Sequence, residues 1–167
     1  MCNRIINLML NIVIRRIYQL KLVIPIIIGL YLFSCNKQKV CCDLIDIDVK
    51  IHYQDTSGNN LINTSASFNS SNIKIYFKNG DQYEYAFKSN LDNPNFFSVV
   101  NINSKEILTV FPSNYYEQNR STTLIELNST ITDTLICEFD LSKNNTILKQ
   151  AWLNGIEIKN RYIEVKK

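Results

Sequence analysis

Between residues 45 and 53 the chain alternates without a break. Ile45, Ile47, Val49, Ile51 and Tyr53 are apolar or aromatic, and Asp46, Asp48, Lys50 and His52 are polar. A strict period of two places one set on each face of an extended strand, so the stretch specifies a half-buried strand and not a helix. It also places His52 on the wet face. The same period recurs at Ile73, Ile75 and Phe77, at Tyr83, Tyr85 and Phe87, and at Leu135, Cys137, Phe139 and Leu141. Further strands are expected over 96–102, 107–111, 122–128, 147–153 and 156–159. A last edge strand over 162–165 is followed by Lys166 and Lys167, which discourage further pairing. No stretch after residue 43 carries a helical period. Eight or nine short strands joined by hairpins predict an all-β fold, an antiparallel sandwich of immunoglobulin-like architecture. The cysteine and tryptophan spacing of antibody domains is absent, so the likeness is one of architecture alone.

Turn chemistry sets the registers. Asn154-Gly155 as a two-residue turn pairs Leu153 with Ile156 and Ala151 with Ile158, which suits a primed hairpin. Asn79-Gly80 as a two-residue turn would oppose Phe77 to Gln82 and split the apolar residues between faces. A three-residue loop, Lys78-Asn79-Gly80, pairs Ile75 with Tyr83 and Ile73 with Tyr85, and is the expected register on the premise that both apolar sets face the core. Asn103-Ser104 marks another tight turn, and Pro112 ends the strand before it.

Ahead of the strands lies a different kind of sequence. Arg4, Arg15, Arg16 and Lys21 precede a run of mostly apolar residues from Leu22 to Phe33, closed by Ser34. A basic flank, a short apolar core and a small residue form the layout of a secretory leader, starting at Met1 or Met9. As a helix this run rises only about 18 Å, against about 30 Å of hydrocarbon, so an uncleaved spanning helix is the weaker reading. The isoleucines around Arg15-Arg16 argue against twin-arginine export. Leu32-Phe33-Ser34-Cys35 resembles the lipobox of bacterial lipoproteins. The resemblance implies a signal peptide over 1–34, cleavage before Cys35, a diacylglycerol on its sulfur and an acyl group on its new amine. Two or three chains anchor a protein stably where one does not. Residues 35–42 then form a lipidated tether and 43–167 a single domain. Surface-displayed lipoproteins of Bacteroidota carry acidic residues just after the cysteine, whereas residues 36–42 contain none. The resemblance therefore implies the outer membrane of the cell envelope, facing the periplasm.

Removing the leader changes the charge. All 15 acidic residues lie after Ser34, and 14 of the 18 basic ones remain with them, for a formal charge of −1. Nucleic-acid binding loses its electrostatic footprint. In an oxidising compartment Cys137 could pair with Cys41 or Cys42, leaving one thiol over, or it could serve as a small buried hydrophobe. Three cysteines without a spaced histidine do not make a metal site, and no cofactor motif is present. Asp46 and Asp48 read as a solvated strand face more simply than as calcium ligands.

Chemistry is sparse. His52, the sole histidine, would have to serve any Ser-His or Cys-His mechanism, and no G-x-S-x-G motif accompanies it. Tyr115 and Tyr116 on a loop with Arg120 could stack on a sugar or on a partner's apolar patch. The plainer expectation is one tyrosine packed on the sandwich rim and the other exposed. Asp133-Thr134-Leu135 resembles the O-glycosylation sequence of exported proteins of the same bacteria, with Thr134 as acceptor, although Thr134 can equally be a strand residue. Finally, Asp55-Thr-Ser-Gly58 with Leu61 and Asn63, Ile73-Lys-Ile-Tyr76, Leu91-Asp-Asn-Pro94, Phe96-Phe97 and Trp152-Leu-Asn-Gly155 are similar to the small lipoproteins common in Bacteroidota. That resemblance brings no catalytic residues. The expected function is a membrane-anchored structural or protein-interaction module and not an enzyme. A carbohydrate-binding accessory protein using the tyrosine loop is the alternative, and a small hydrolase is third.

Overall fold

A computed structural model describes residues 44–142 and 145–167. The chain divides between Cys41 and Cys42 into two units, and the second holds every described residue. Residues 1–34, read above as a leader, and Cys35, Cys41 and Cys42 lie outside the described residues.

The described chain is an all-β sandwich of two mixed sheets. Eleven strands form it: β1 (Ile45–Asp46), β2 (Val49–Gln54), β3 (Lys74–Asn79), β4 (Gln82–Tyr85), β5 (Phe97–Ile102), β6 (Lys105–Val110), β7 (Arg120–Asn128), β8 (Ile131–Asp140), β9 (Thr146–Leu153), β10 (Ile156–Ile158) and β11 (Tyr162–Lys166). The larger sheet runs β1-β9-β8-β7-β3-β4, with β10 also paired to β9, and the smaller runs β11-β2-β6-β5. Short 3-10 turns at Ala66–Phe68 and Ser70–Asn72 carry the chain from one sheet to the other. Between the sheets, Val49, Ile51 and Tyr53 of β2 and Leu108 and Val110 of β6 meet Ile75, Ile125, Leu135 and Phe139 of the larger sheet in one buried cluster. Each is an alternate residue of its strand, so the period of two is what builds the core.

The first alternating stretch is two strands, not one. Residues 45–46 pair in parallel with β9 in the larger sheet, and after Ile47-Asp48 the chain enters the smaller sheet between β11 and β6. Ile45 consequently faces solvent, while Val49, Ile51 and Tyr53 are fully buried. The chain makes the same change of sheet near its other end. After β10, Asn160 and Arg161 sit in the left-handed region and turn it into β11, which runs parallel to β2.

The Asn154-Gly155 hairpin has the expected register, Leu153 against Ile156 and Ala151 against Ile158, with both turn residues at positive φ. The hairpin of β3 and β4 does not. Asn79 pairs with Gln82, Lys78 with Tyr83 and Tyr76 with Tyr85, so the loop is Gly80-Asp81 with Gly80 at φ +59°. A glycine at positive φ in the first position is what this two-residue turn demands. The three-residue loop fails because its premise fails. The aromatic residues of β4 do not face the core; Tyr83, Tyr85 and, just beyond the strand, Phe87 are 45%, 52% and 54% exposed, and Ala86 takes the buried place.

Candidate functional site

The sandwich has two unlike margins. At one, the sheet changes at 47–48 and 159–161 lie side by side. The Arg161 guanidinium donates to both oxygens of Asp46 and lies 3.6 Å from Asp48, and its backbone carbonyl accepts from Lys50 N at 2.8 Å. Arg161 holds the Asp46 carboxyl below the ordinary carboxylate range, chiefly through that hydrogen bond. Asp46 and Asp48 are thus ion-pair partners of the fold. At the other margin lie β4 and β5, the end strands of their sheets, each paired on one side only among the described residues.

The open margin is aromatic. Tyr85 lies 5.8 Å from Tyr76 on β3, ring centre to ring centre, and 6.4 Å from Phe87 with their planes 3° apart. Tyr115, from the loop between β6 and β7, leans edge-on against Phe77 at 6.5 Å, and its hydroxyl reaches Glu84 Oε2 at 3.4 Å. That loop is anchored by Ser113, which is buried, accepts at its hydroxyl from Tyr115 N and donates its own N–H to Thr123 Oγ1. A cleft of about 200 Å³ lies here, walled by Glu84, Tyr85, Phe87, Phe96 and Tyr115. On β5 the outward residues Val100 and Ile102 are also exposed.

The three loop residues singled out from sequence divide. Tyr115 and Arg120 flank a second cleft of about 400 Å³, together with Lys78 and Glu117. Tyr116 turns inward onto the Phe139 ring at 5.2 Å, and its partial burial raises its hydroxyl pKa above the usual value. Arg120 is occupied as well, donating through Nε and Nη2 to Glu138 Oε2 and lying 5.3 Å over the Trp152 ring. Alternation alone marked Tyr83, Tyr85 and Phe87 as core, so the most exposed rings were misassigned by their period.

His52 is not on a wet face. It is 2% exposed, because Asn60 from the turn after β2 and Gln54 cover it. Asn60 Nδ2 donates to Ser104 O and its Oδ1 accepts from Glu106 N, which fixes the orientation of the amide. Oδ1 therefore faces His52 Nε2 at 2.8 Å, and this nitrogen carries the hydrogen. Nδ1 is left to accept from Gln54 Nε2 at 3.1 Å, with Glu164 3.6 Å away. Both ring nitrogens are engaged by amides. Glu164 accepts from Lys105 Nζ and from the Tyr162 hydroxyl, each at 2.7 Å, and these bonds, Lys105 first, pull its pKa down from 4.5 to about 2.

Cys137 is fully buried on the inward face of β8 with no disulfide partner among the described residues, and as a thiol its pKa is pushed up to about 12 by burial. Such a thiol is inert. Its two candidate partners, Cys41 and Cys42, lie outside the described residues. Thr134 lies in the middle of β8, paired with Leu124 of β7, between the buried Asp133 and Leu135. Among the described residues no group of three metal-ligating side chains converges, and no helix is long and apolar enough to cross a membrane. The chain matches no protein-family model, no curated protein and no solved structure.

Proposed function

We propose that this protein is an exported lipoprotein, fixed to the outer membrane through lipid on Cys35 and facing the periplasm, whose sandwich is a non-enzymatic protein-interaction module. The observation that carries the reading is the row Tyr83, Tyr85 and Phe87, with Tyr76 behind it, displayed along the open edge strand β4. An exposed aromatic edge is an aggregation hazard, one that folded proteins normally blunt. Its retention is explained by a partner: an extended segment adds to the free backbone edge of β4, and the rings contact its alternate side chains. The engagement of both His52 nitrogens supports a non-enzymatic role, since a catalytic imidazole needs one nitrogen facing a nucleophile.

Carbohydrate binding is the second reading, favoured by the cleft where Tyr115, Tyr85 and Phe87 stand beside the Glu84 carboxylate. Rings for the apolar face of a sugar and an acceptor for its hydroxyls are the usual ingredients.

One set of variants separates the two. Replacing Tyr83, Tyr85 and Phe87 together by Ser is expected to abolish capture of a periplasmic protein while the anchored protein stays folded. Binding on a glycan array that is lost in Tyr115→Ala would instead establish the carbohydrate reading. Mass spectrometry of the native amino terminus tests the anchor: a triacylated Cys35 is expected, and an intact, lipid-free leader would refute it.

A further inference from the structure

Among the described residues Asp133 is the one acidic side chain placed in the core, 1% exposed on the inward face of β8. Both of its oxygens have donors. The Tyr53 hydroxyl donates to Oδ2 at 2.8 Å, and Asn154 Nδ2 donates to Oδ1 at 2.7 Å. The third donor is Lys167 Nζ, 2.5 Å from Oδ1 and 5.9 Å from the centre of the Tyr53 ring. The Lys167 backbone is held as well, its N–H donating to Gln54 O at 2.9 Å, so the lysine is aimed at the carboxylate from a fixed strand end. Lys167 is an amine nucleophile and Asp133 an acyl carbon, held together with the carboxylate buried and the amine largely covered.

We infer that Lys167 and Asp133 condense to an intramolecular amide, which joins the end of β11 covalently to β8. The step balances without any co-reactant. The Lys167 nitrogen forms a bond to Asp133 Cγ, and two protons of the ammonium pass to Oδ1, which leaves as water. The third proton stays as the amide N–H, and Oδ2 becomes the amide oxygen. The donors already stand where charge changes. Tyr53 faces Oδ2, where negative charge grows in the tetrahedral intermediate, and Asn154 faces Oδ1, the leaving oxygen. Burial pushes the Tyr53 pKa well above its ordinary value, so its hydroxyl remains a donor. Two further arguments favour the reaction. A positioned intramolecular pair reacts as though at an effective concentration of about 10⁵–10⁸ M. The product also replaces a buried carboxylate and its partly buried ammonium with one neutral group, removing the desolvation penalty of the carboxylate.

Peptide mass mapping of the full-length protein, purified folded and then denatured and digested with trypsin, tests this directly. The expected product is a branched peptide in which the 121–143 segment carries Lys167, alone or with 162–166, on Asp133, lighter than the sum of its parts by one water. Lys167→Arg keeps a cation beside the carboxylate but no acylatable amine, and is expected to yield only the linear 121–143 peptide. A linear 121–143 peptide from the folded wild-type protein would overturn the inference. So would the same branched mass in Lys167→Arg.

Discussion

The two margins of the sandwich are made by opposite means. At the closed margin the chain itself passes twice between the sheets, and polar side chains tie the crossings: Arg161 with Asp46 and Asp48 at one end of β11, Lys167 with Asp133 at the other. Neither tie is a surface decoration, because each joins segments far apart in sequence. At the open margin no strand crosses directly. β4 and β5 are joined by residues 86–96, and the side chains there are rings in contact with one another and with solvent. At the closed margin polar groups tie the sheets together while Ile45 and Ile156 stay exposed; at the open margin the uncovered groups are aromatic rings, Tyr85 and Phe87 stacked on one another. The contrast teaches that one edge of the domain is closed by ion pairs between distant segments and the other by ring packing, which is the ground for the proposal that recognition belongs to the second.

The largest break in that contrast comes from Asp133→Ala. It leaves the Tyr53 hydroxyl and the Asn154 amide without their acceptor and frees the end of β11 from β8, and is expected to cost about 2–5 kcal/mol in urea unfolding. Arg161→Ala removes the other tie. Its partners are partly exposed, so it is expected to lower the melting temperature less than Asp133→Ala does but more than any change at β4. A pH titration sharpens the same margin. Glu164 has a folded pKa depressed from 4.5 to about 2, so the stability it contributes is present above about pH 4.5 and is lost as pH falls towards 2. Unfolding measured across that window is expected to be steeper in the wild type than in Glu164→Gln. The smallest effect on stability belongs to the open margin: Tyr85→Ser is expected to change unfolding by no more than about 0.5 kcal/mol, since its side chain lies half in solvent.

What the sequence made legible followed from local rules. The period of two located most of the strands, and Asn154-Gly155 fixed a register, because both act between neighbours in the chain. What was not legible depends on which element covers which. The alternation of residues 45–53 continues through Ile47-Asp48 with no break, so nothing local marks the change of sheet there. His52 has wet-face parity, yet Asn60 and the parallel neighbour β11 close over that face. Tyr83 and Tyr85 have a perfect apolar period, but an edge strand of a sandwich need not turn its larger side chains inward, and Gly80 rather than hydrophobicity sets the register. Asp133 shares the parity of Leu135, Cys137 and Phe139, and an acid in step with a core face marks a buried carboxylate that needs partners. That parity marks the need for partners, while their identity, Tyr53, Asn154 and Lys167, depends on which strands and turns come to lie beside β8.

The central claim, that the open margin is a contact surface and the closed margin is not, is tested most directly by site-specific photo-crosslinking in the intact cell envelope. A photoreactive residue is placed at Tyr85 in one strain and at the exposed Glu157 of β10 in another. The account predicts a discrete crosslinked protein species from position 85 and none from position 157. Equal labelling from both positions, or a species from 157 alone, would contradict it.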